Sequence, residues 1–229
     1  MKIVKTTIAL LALAVLAGCS SAPKTETGFW NDGLKGKVKS IHEVETVAEG
    51  DNIGDVYAVV DLKCNEQGKL TEQVINCADY RDSYAKFGYD YDSKGVLQRR
   101  NIYFKNGSLN VYNVYKYDKQ GLPKEVVCYA GTTSEELGRC AITFGDTQIR
   151  EDEIVSDGYD YPVNSFFYTL DGELKGQTDV MGGHANAMFT YDYEHDDTGN
   201  WIKRTCYRVR GDGSEPTPSR VTIREIVYW

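Results

Sequence analysis

Histidine is scarce in this chain. His42, His184 and His195 are the only three among 229 residues, and no metal-ligand spacing links them. His184 lies in Met181-Gly182-Gly183-His184, where a loop histidine suits metal or base chemistry, but no partner motif accompanies it. Serine never occurs in a Gly-x-Ser-x-Gly elbow, and a phosphate-cradling glycine loop is missing, so serine hydrolysis and nucleotide chemistry lack their sequence signals. The cysteine spacings fit no zinc motif and carry no local nucleophile signature. Positive charge is in deficit, 26 Lys and Arg against 34 Asp and Glu, for a formal net charge of −8. That balance argues against nucleic acid and against anionic lipid headgroups as partners. The apolar run Ile8–Leu16 covers nine residues, too few for a membrane-spanning helix.

What that run does form is a secretory signal. Lys2 and Lys5 supply a positive start, Ile8–Leu16 the apolar middle and Gly18 a small residue before the cut. The tetrapeptide Leu16-Ala17-Gly18-Cys19 resembles the lipobox of bacterial lipoproteins. The resemblance covers about the first twenty residues. It implies cleavage before Cys19, a diacylglycerol on the Cys19 thiol and an acylated new amine. Two or three acyl chains anchor stably where one does not. By the same resemblance Ser20 favours the outer membrane. Ser20-Ser21-Ala22-Pro23-Lys24 lacks the acidic cluster that accompanies surface export, which leans towards the periplasmic side. The expected organisation is a signal peptide over 1–18, a lipidated Cys19 with a flexible tether over 19–33, and one domain over 34–229. Removing Lys2 and Lys5 leaves 24 basic side chains and a formal charge of −10 for the mature chain. Five cysteines then remain: Cys64, Cys77, Cys128, Cys140 and Cys206. The number is odd, so at least one thiol stays free or pairs with another chain; free structural thiols are the leading reading.

The domain is periodic. Tyr89-Asp-Tyr-Asp-Ser-Lys-Gly95 and Tyr115-Lys-Tyr-Asp-Lys-Gln-Gly121 are near copies, with weaker copies ending at Gly68, Gly172 and Gly199 and a degenerate one in which Gln148 takes the glycine slot. The intervals between slots are 27, 26, 27, 24 and 27 residues. Asp followed three residues later by Gly suits a type I turn, the carboxylate accepting backbone N–H bonds two residues on. The glycine takes the left-handed conformation that makes a bulge and closes a hairpin. Such a turn pairs the residue four before the glycine with the residue two after it. The expected pairs are Cys64 with Leu70, Tyr91 with Leu97, Tyr117 with Pro123, Phe144 with Arg150, Tyr168 with Leu174 and His195 with Trp201. Most join aromatic or apolar partners, a favourable cross-strand pairing. Variable segments join the other strand ends, with Asn106-Gly107 a tight turn among them. Lys37–Val47 reads as the opening strand and Val221–Trp229 as the closing one.

The resulting expectation is an all-β antiparallel meander of about fourteen strands built from repeated hairpins, a long twisted and curled sheet, with a closed barrel as the alternative. The tyrosine–aspartate–glycine copies resemble YD repeats of the Rhs type. The stretches Leu34–Ile41 and Gly199–Arg204 resemble small lipoproteins of Bacteroidetes type. The chain departs from large Rhs proteins in having few repeats and no toxin-like C-terminal domain.

Candidate chemistry is thin. Asp90, Asp92 and Gly95 imitate the start of a calcium loop, but Lys94 occupies a ligand position. Asp192, Glu194, Asp196 and Asp197 are split by strand alternation. Glu151-Asp152-Glu153 could serve paired-carboxylate hydrolysis, a charged strand face being the simpler reading. His195, in a tyrosine slot, reads as a packed stripe residue and His42 as solvent-facing. Tyr89, Tyr91, Tyr115 and Tyr117 have two readings: packing inside a curled sheet, or a platform on which sugar rings stack. The function expected is a membrane-anchored envelope lipoprotein, not an enzyme, that binds a protein or glycan. It needs no cofactor and no metal, and does not bind nucleic acid. Its partners are the bilayer, through acylated Cys19, and an unidentified envelope protein or glycan. A purely structural envelope component and a glycan-acting hydrolase are the alternatives. Variable loops carry function more often than uniform turns do.

Overall fold

The computed structural model describes residues 34–49, 52–78, 84–155, 162–181, 184–211 and 214–229. The expected signal peptide, Cys19 and the tether lie outside them. Fourteen strands follow in chain order: β1 (Val38–Glu49), β2 (Asn52–Cys64), β3 (Leu70–Cys77), β4 (Tyr84–Tyr91), β5 (Leu97–Tyr103), β6 (Leu109–Tyr117), β7 (Pro123–Ala130), β8 (Glu136–Phe144), β9 (Ile149–Val155), β10 (Asn164–Tyr168), β11 (Leu174–Met181), β12 (His184–His195), β13 (Trp201–Val209) and β14 (Thr217–Tyr228). Each pairs antiparallel with its chain neighbours, and β14 pairs back onto β1. The curled meander therefore closes into a barrel, the alternative form of the expected fold, and closure leaves no open sheet edge.

The repeated turns set the register. The Asp92 carboxylate accepts the backbone N–H groups of Lys94 at 2.9 Å and Val96 at 2.8 Å. Asp118 and Asp196 repeat the arrangement. Asn65 repeats it with a side-chain amide oxygen, and Thr169 keeps one of the two bonds with its hydroxyl. Gly95 and Gly121 sit at φ of 78° and 81°, the left-handed region that glycine enters without strain. Five of the six expected pairs occur: Cys64 with Leu70, Tyr91 with Leu97, Tyr117 with Pro123, Tyr168 with Leu174 and His195 with Trp201. Each lies directly beyond a register shift, the bulge made by the extra glycine.

The sixth pair differs. Phe144 faces Ile149, and Arg150 faces Thr143. Here Gln148 replaces the glycine, the β8–β9 ladder has no register shift, and the turn closes by Gly145 N–H donating to Gln148 O at 2.9 Å. Without a residue that takes the left-handed conformation cheaply, the bulge is not made and the register moves by one. A one-residue slip turns every side chain of β9 to the opposite face.

Inside and outside alternate along the strands. Val60, Leu62 and Cys64 of β2, Phe87 of β4, Ile102 of β5 and Val111 of β6 form one buried cluster with Leu34, Val38 and Ile41. Leu97, Tyr115, Val126, Cys140, Ile142, Ile149, Phe166, Tyr168 and Leu174 form a second. Eight strands already make an interior that side chains can fill. The second cluster spans seven consecutive strands, β5 to β11. The outward positions between these residues carry charge. Glu72 lies between Lys63 at 2.7 Å and Lys86 at 2.6 Å, and Glu125 lies between Lys116 at 2.6 Å and Arg139 at 3.1 Å. Both carboxyls are lowered, chiefly by hydrogen bonds from their lysines.

Candidate functional site

β9 brings the most unusual chemistry inside. Because of the register at Gln148, Ile149, Glu151 and Glu153 point inward, and only Asp152 of the acidic triplet faces out, bonded to Arg150 at 2.9 Å and Ser165 at 2.6 Å. The triplet is thus not one charged face. Glu151 is 0% exposed and Glu153 4%. Burial raises both carboxyls to about 7. For Glu151 the hydrogen bond with Cys140 opposes the rise and the neighbouring Glu153 adds to it. For Glu153 the 2.7 Å bond from the Asn164 amide opposes it and Asp179 adds to it. Tyr168 donates to Glu151 at 3.3 Å. Arg100, buried on β5 with its guanidinium 5.3 Å from the Phe87 ring, draws Glu151 partly back down. Enclosed as they are, the two carboxyls meet no polymer in this conformation.

A second polar group runs along β1, β13 and β14. Deepest is Arg224, which lies 2.6 Å from Glu43 with its guanidinium 3.2 Å from the Trp201 ring centre. Next, Glu45 faces Arg204 at 3.7 Å, Arg220 at 3.3 Å and the Thr222 hydroxyl at 3.2 Å. Outermost, Arg220 lies 4.2 Å over the Tyr57 ring with its side chain 46% exposed. Two carboxylates against three guanidiniums leave an excess of one positive charge. The group descends from an accessible mouth to a closed floor. That mouth lies at the variable-loop edge, because Arg220 is near the start of β14 and Glu45 near the end of β1. Arginines 220, 204 and 224 escaped the sequence reading because their spacing is only that of a strand face. Arg220 and Arg224 share the face of Thr222 on β14, and Arg204 is the cross-strand partner of Thr222.

The tyrosines singled out from the repeat also point inward. Tyr115 is buried, and burial pushes its hydroxyl to about 12. Tyr89, Tyr91 and Tyr117 are half-buried. Their hydroxyls donate to Gln73 Oε1 at 2.7 Å, Leu70 O at 2.8 Å and Leu97 O at 2.5 Å. Burial raises Tyr117 as well. Tyr91 and Tyr117, each four residues before its turn glycine, thus tie their strands to the hairpin before, as Tyr193 does by donating to Leu174 O at 2.6 Å. His42 is exposed and lies 2.8 Å from Asp61; His195 lies 2.6 Å from Glu173. Among the described residues no group of three or more His, Cys, Asp or Glu is placed to hold a metal ion. Cys64, Cys77, Cys128, Cys140 and Cys206 are free thiols, and burial raises Cys128 to about 11.

No protein-family model matches the chain, and no curated protein matches it. Among solved structures it is similar to a porin-like protein from Bacteroides uniformis ATCC 8492, with a TM-score of 0.51 and 12% identity over 85% of this chain and 98% of that one. A second similarity, to a chain of the TcdB2-TccC3-Cdc42 complex, has a TM-score of 0.29 and 13% identity, and covers 73% of this chain and 10% of that one. The first is a likeness of fold: a β-barrel over most of both chains.

Proposed function

We propose that this protein is an outer-membrane lipoprotein, held by acyl chains on Cys19 on the periplasmic side, whose barrel binds an envelope protein or glycan without catalysis. The observation that carries the reading is the asymmetry of the barrel. One edge repeats the same glycine-closed turn at five of its six hairpins; the other carries loops of differing length above a polar mouth of Arg220, Tyr57 and Glu45. Uniform turns are scaffold, and variable loops over an accessible charged mouth suit recognition. The porin-like name of the similar Bacteroides structure supports an envelope setting. The wall of this barrel, however, supports a domain that stands in water. A lipid-facing wall carries an apolar band, and each Lys or Arg at its midplane costs roughly 2–4 kcal/mol. Lys63, Lys86, Lys116 and Arg139 all face outward in ion pairs.

One observation favours a second reading. Glu151 and Glu153 are paired carboxylates raised towards neutrality, the property a glycan-acting hydrolase requires. Their enclosure leaves binding the better supported function. The test has two parts. Cys19→Ala should release or misprocess the protein; normal cleavage with continued membrane retention would sink the lipid anchor. In-cell crosslinking and pull-down of the lipidated protein should recover a reproducible partner, and recovery of none counts against the binding reading.

A further inference from the structure

The barrel carries an exposed apolar corner where the chain enters it. β14 ends beside the start of β1, and the backbone N–H of Trp229 donates to Lys37 O at 2.9 Å. Val227 and Trp229 alternate with inward residues and face out, 50% and 53% exposed. Lys39 lies with its ammonium 4.9 Å over the Trp229 ring. Lys35 and Lys37 are exposed just before it. An indole and an aliphatic side chain beside Lys39, with exposed Lys37 and Lys35 at the same barrel edge and the Lys35 ammonium at the Gly199 turn, on a chain whose overall charge is −8, make a local departure from the protein's character. It is also the composition that partitions into the headgroup layer of a bilayer, the indole at the apolar boundary and the ammonium groups among phosphates.

The position of the corner fits that occupant. Fourteen residues separate Cys19 from Leu34. A flexible tether of that length, the kind expected from the sequence for residues outside those described, would have a root-mean-square span of roughly 20 Å. It therefore holds whatever lies beside Leu34 near the membrane at an effective concentration on the order of millimolar. A patch too weak to bind a membrane unaided is sufficient under that condition.

We propose that Val227, Trp229, Lys35, Lys37 and Lys39 form a membrane-contact corner that rests in the headgroup layer of a bilayer containing anionic phospholipid. The inference rests on the lipid anchor proposed above and adds an orientation to it. The tight-turn edge faces the bilayer, and the mouth at Arg220 points away, towards a partner.

Tryptophan quenching tests this in the lipidated full-length protein, reconstituted into phosphatidylethanolamine–phosphatidylglycerol vesicles with brominated acyl chains. Trp30→Phe removes the tryptophan nearest the anchor, leaving Trp229 and the buried Trp201. The brominated lipid should quench part of the emission, and the further change Trp229→Phe should abolish the quenched part and leave the Trp201 signal. Lys35→Glu, Lys37→Glu and Lys39→Glu together alter exposed side chains and should reduce the quenching while the protein still floats with the vesicles. Flotation without Trp229 quenching overturns the contact corner and leaves the anchor standing, as does full quenching in the triple-lysine variant. Failure to float overturns the anchor and this inference with it. If quenching is absent and the protein sediments as a dimer, the corner belongs to a second copy of the chain.

Discussion

Glu151→Gln at varied pH is the perturbation that most sharply probes the barrel interior. Glu151 is raised from an ordinary 4.5 to about 7 by burial. An acid raised on folding binds its proton more tightly in the folded state, so its contribution is fully present below pH 4.5 and is lost as pH rises towards 7. A rise of this size corresponds to about 3 kcal/mol, and Glu153, raised to about 7 likewise, contributes on the same scale. Glu72, Glu125 and Asp196 act in a different window. They are lowered on folding, so their contributions are lost in acid, as pH falls through their folded values. For Asp196, hydrogen bonds from Tyr228 and the Asn200 backbone outweigh a burial effect of the opposite sign. The assay is urea unfolding at intervals from pH 5 to 8. The wild type should lose several kcal/mol across that range. Glu151→Gln, which keeps the volume and carries no titrating proton, should lose about 3 kcal/mol less. A wild-type stability that is flat from pH 5 to 8, or an unchanged slope in Glu151→Gln, would refute the inward placement of the two carboxyls.

Three further substitutions test the scaffold. Gly121→Ala should cost about 1–2 kcal/mol from its left-handed backbone alone, since a Cβ there meets nothing within 4 Å. Gly131→Ala should cost more despite an ordinary φ, because its Cβ would lie 2.5 Å from Leu109 O and 2.8 Å from Asn110 O; urea midpoints give both values. Arg224→Ala should cost roughly 3–5 kcal/mol by removing the guanidinium paired with the buried Glu43 carboxylate, and Arg224→Met with Glu43→Leu should recover most of it. In native protein a maleimide should modify half-buried Cys77 first, with Cys64, Cys128, Cys140 and Cys206 protected until unfolding.

How much of this was legible in the sequence turns on one position. The Asp-x-x-Gly turns announced themselves because only a few residue types cap such a turn and only glycine makes its bulge cheaply. From them came the strand number and the hairpin register. At Gln148 the same rule, applied without the glycine that justifies it, put Arg150 opposite Phe144. That places Glu151 and Glu153 on the outer face, where an acidic triplet looks unremarkable. The real turn is one residue shorter in its register, Ile149 goes in, and the carboxylates follow. Ile149 itself was the clue: an isolated apolar residue before a charged run has to be buried somewhere. Closure between β1 and β14 was legible only as the alternative to an open curled sheet, since pairing of residues more than 170 positions apart leaves no local mark. The guanidinium groups of the mouth depend on that closure.

The most direct test of the account is site-specific photocrosslinking in cells that carry the lipidated protein. A photoreactive residue is placed either at Ile53 or Phe104, exposed on the variable edge, or at Lys94 or Lys119 in the tight turns. A barrel that recognises its partner through the variable edge predicts a discrete, reproducible protein or glycan adduct from Ile53 or Phe104 and none from Lys94 or Lys119. Adducts from the turn positions alone, or none from any of the four, would contradict it.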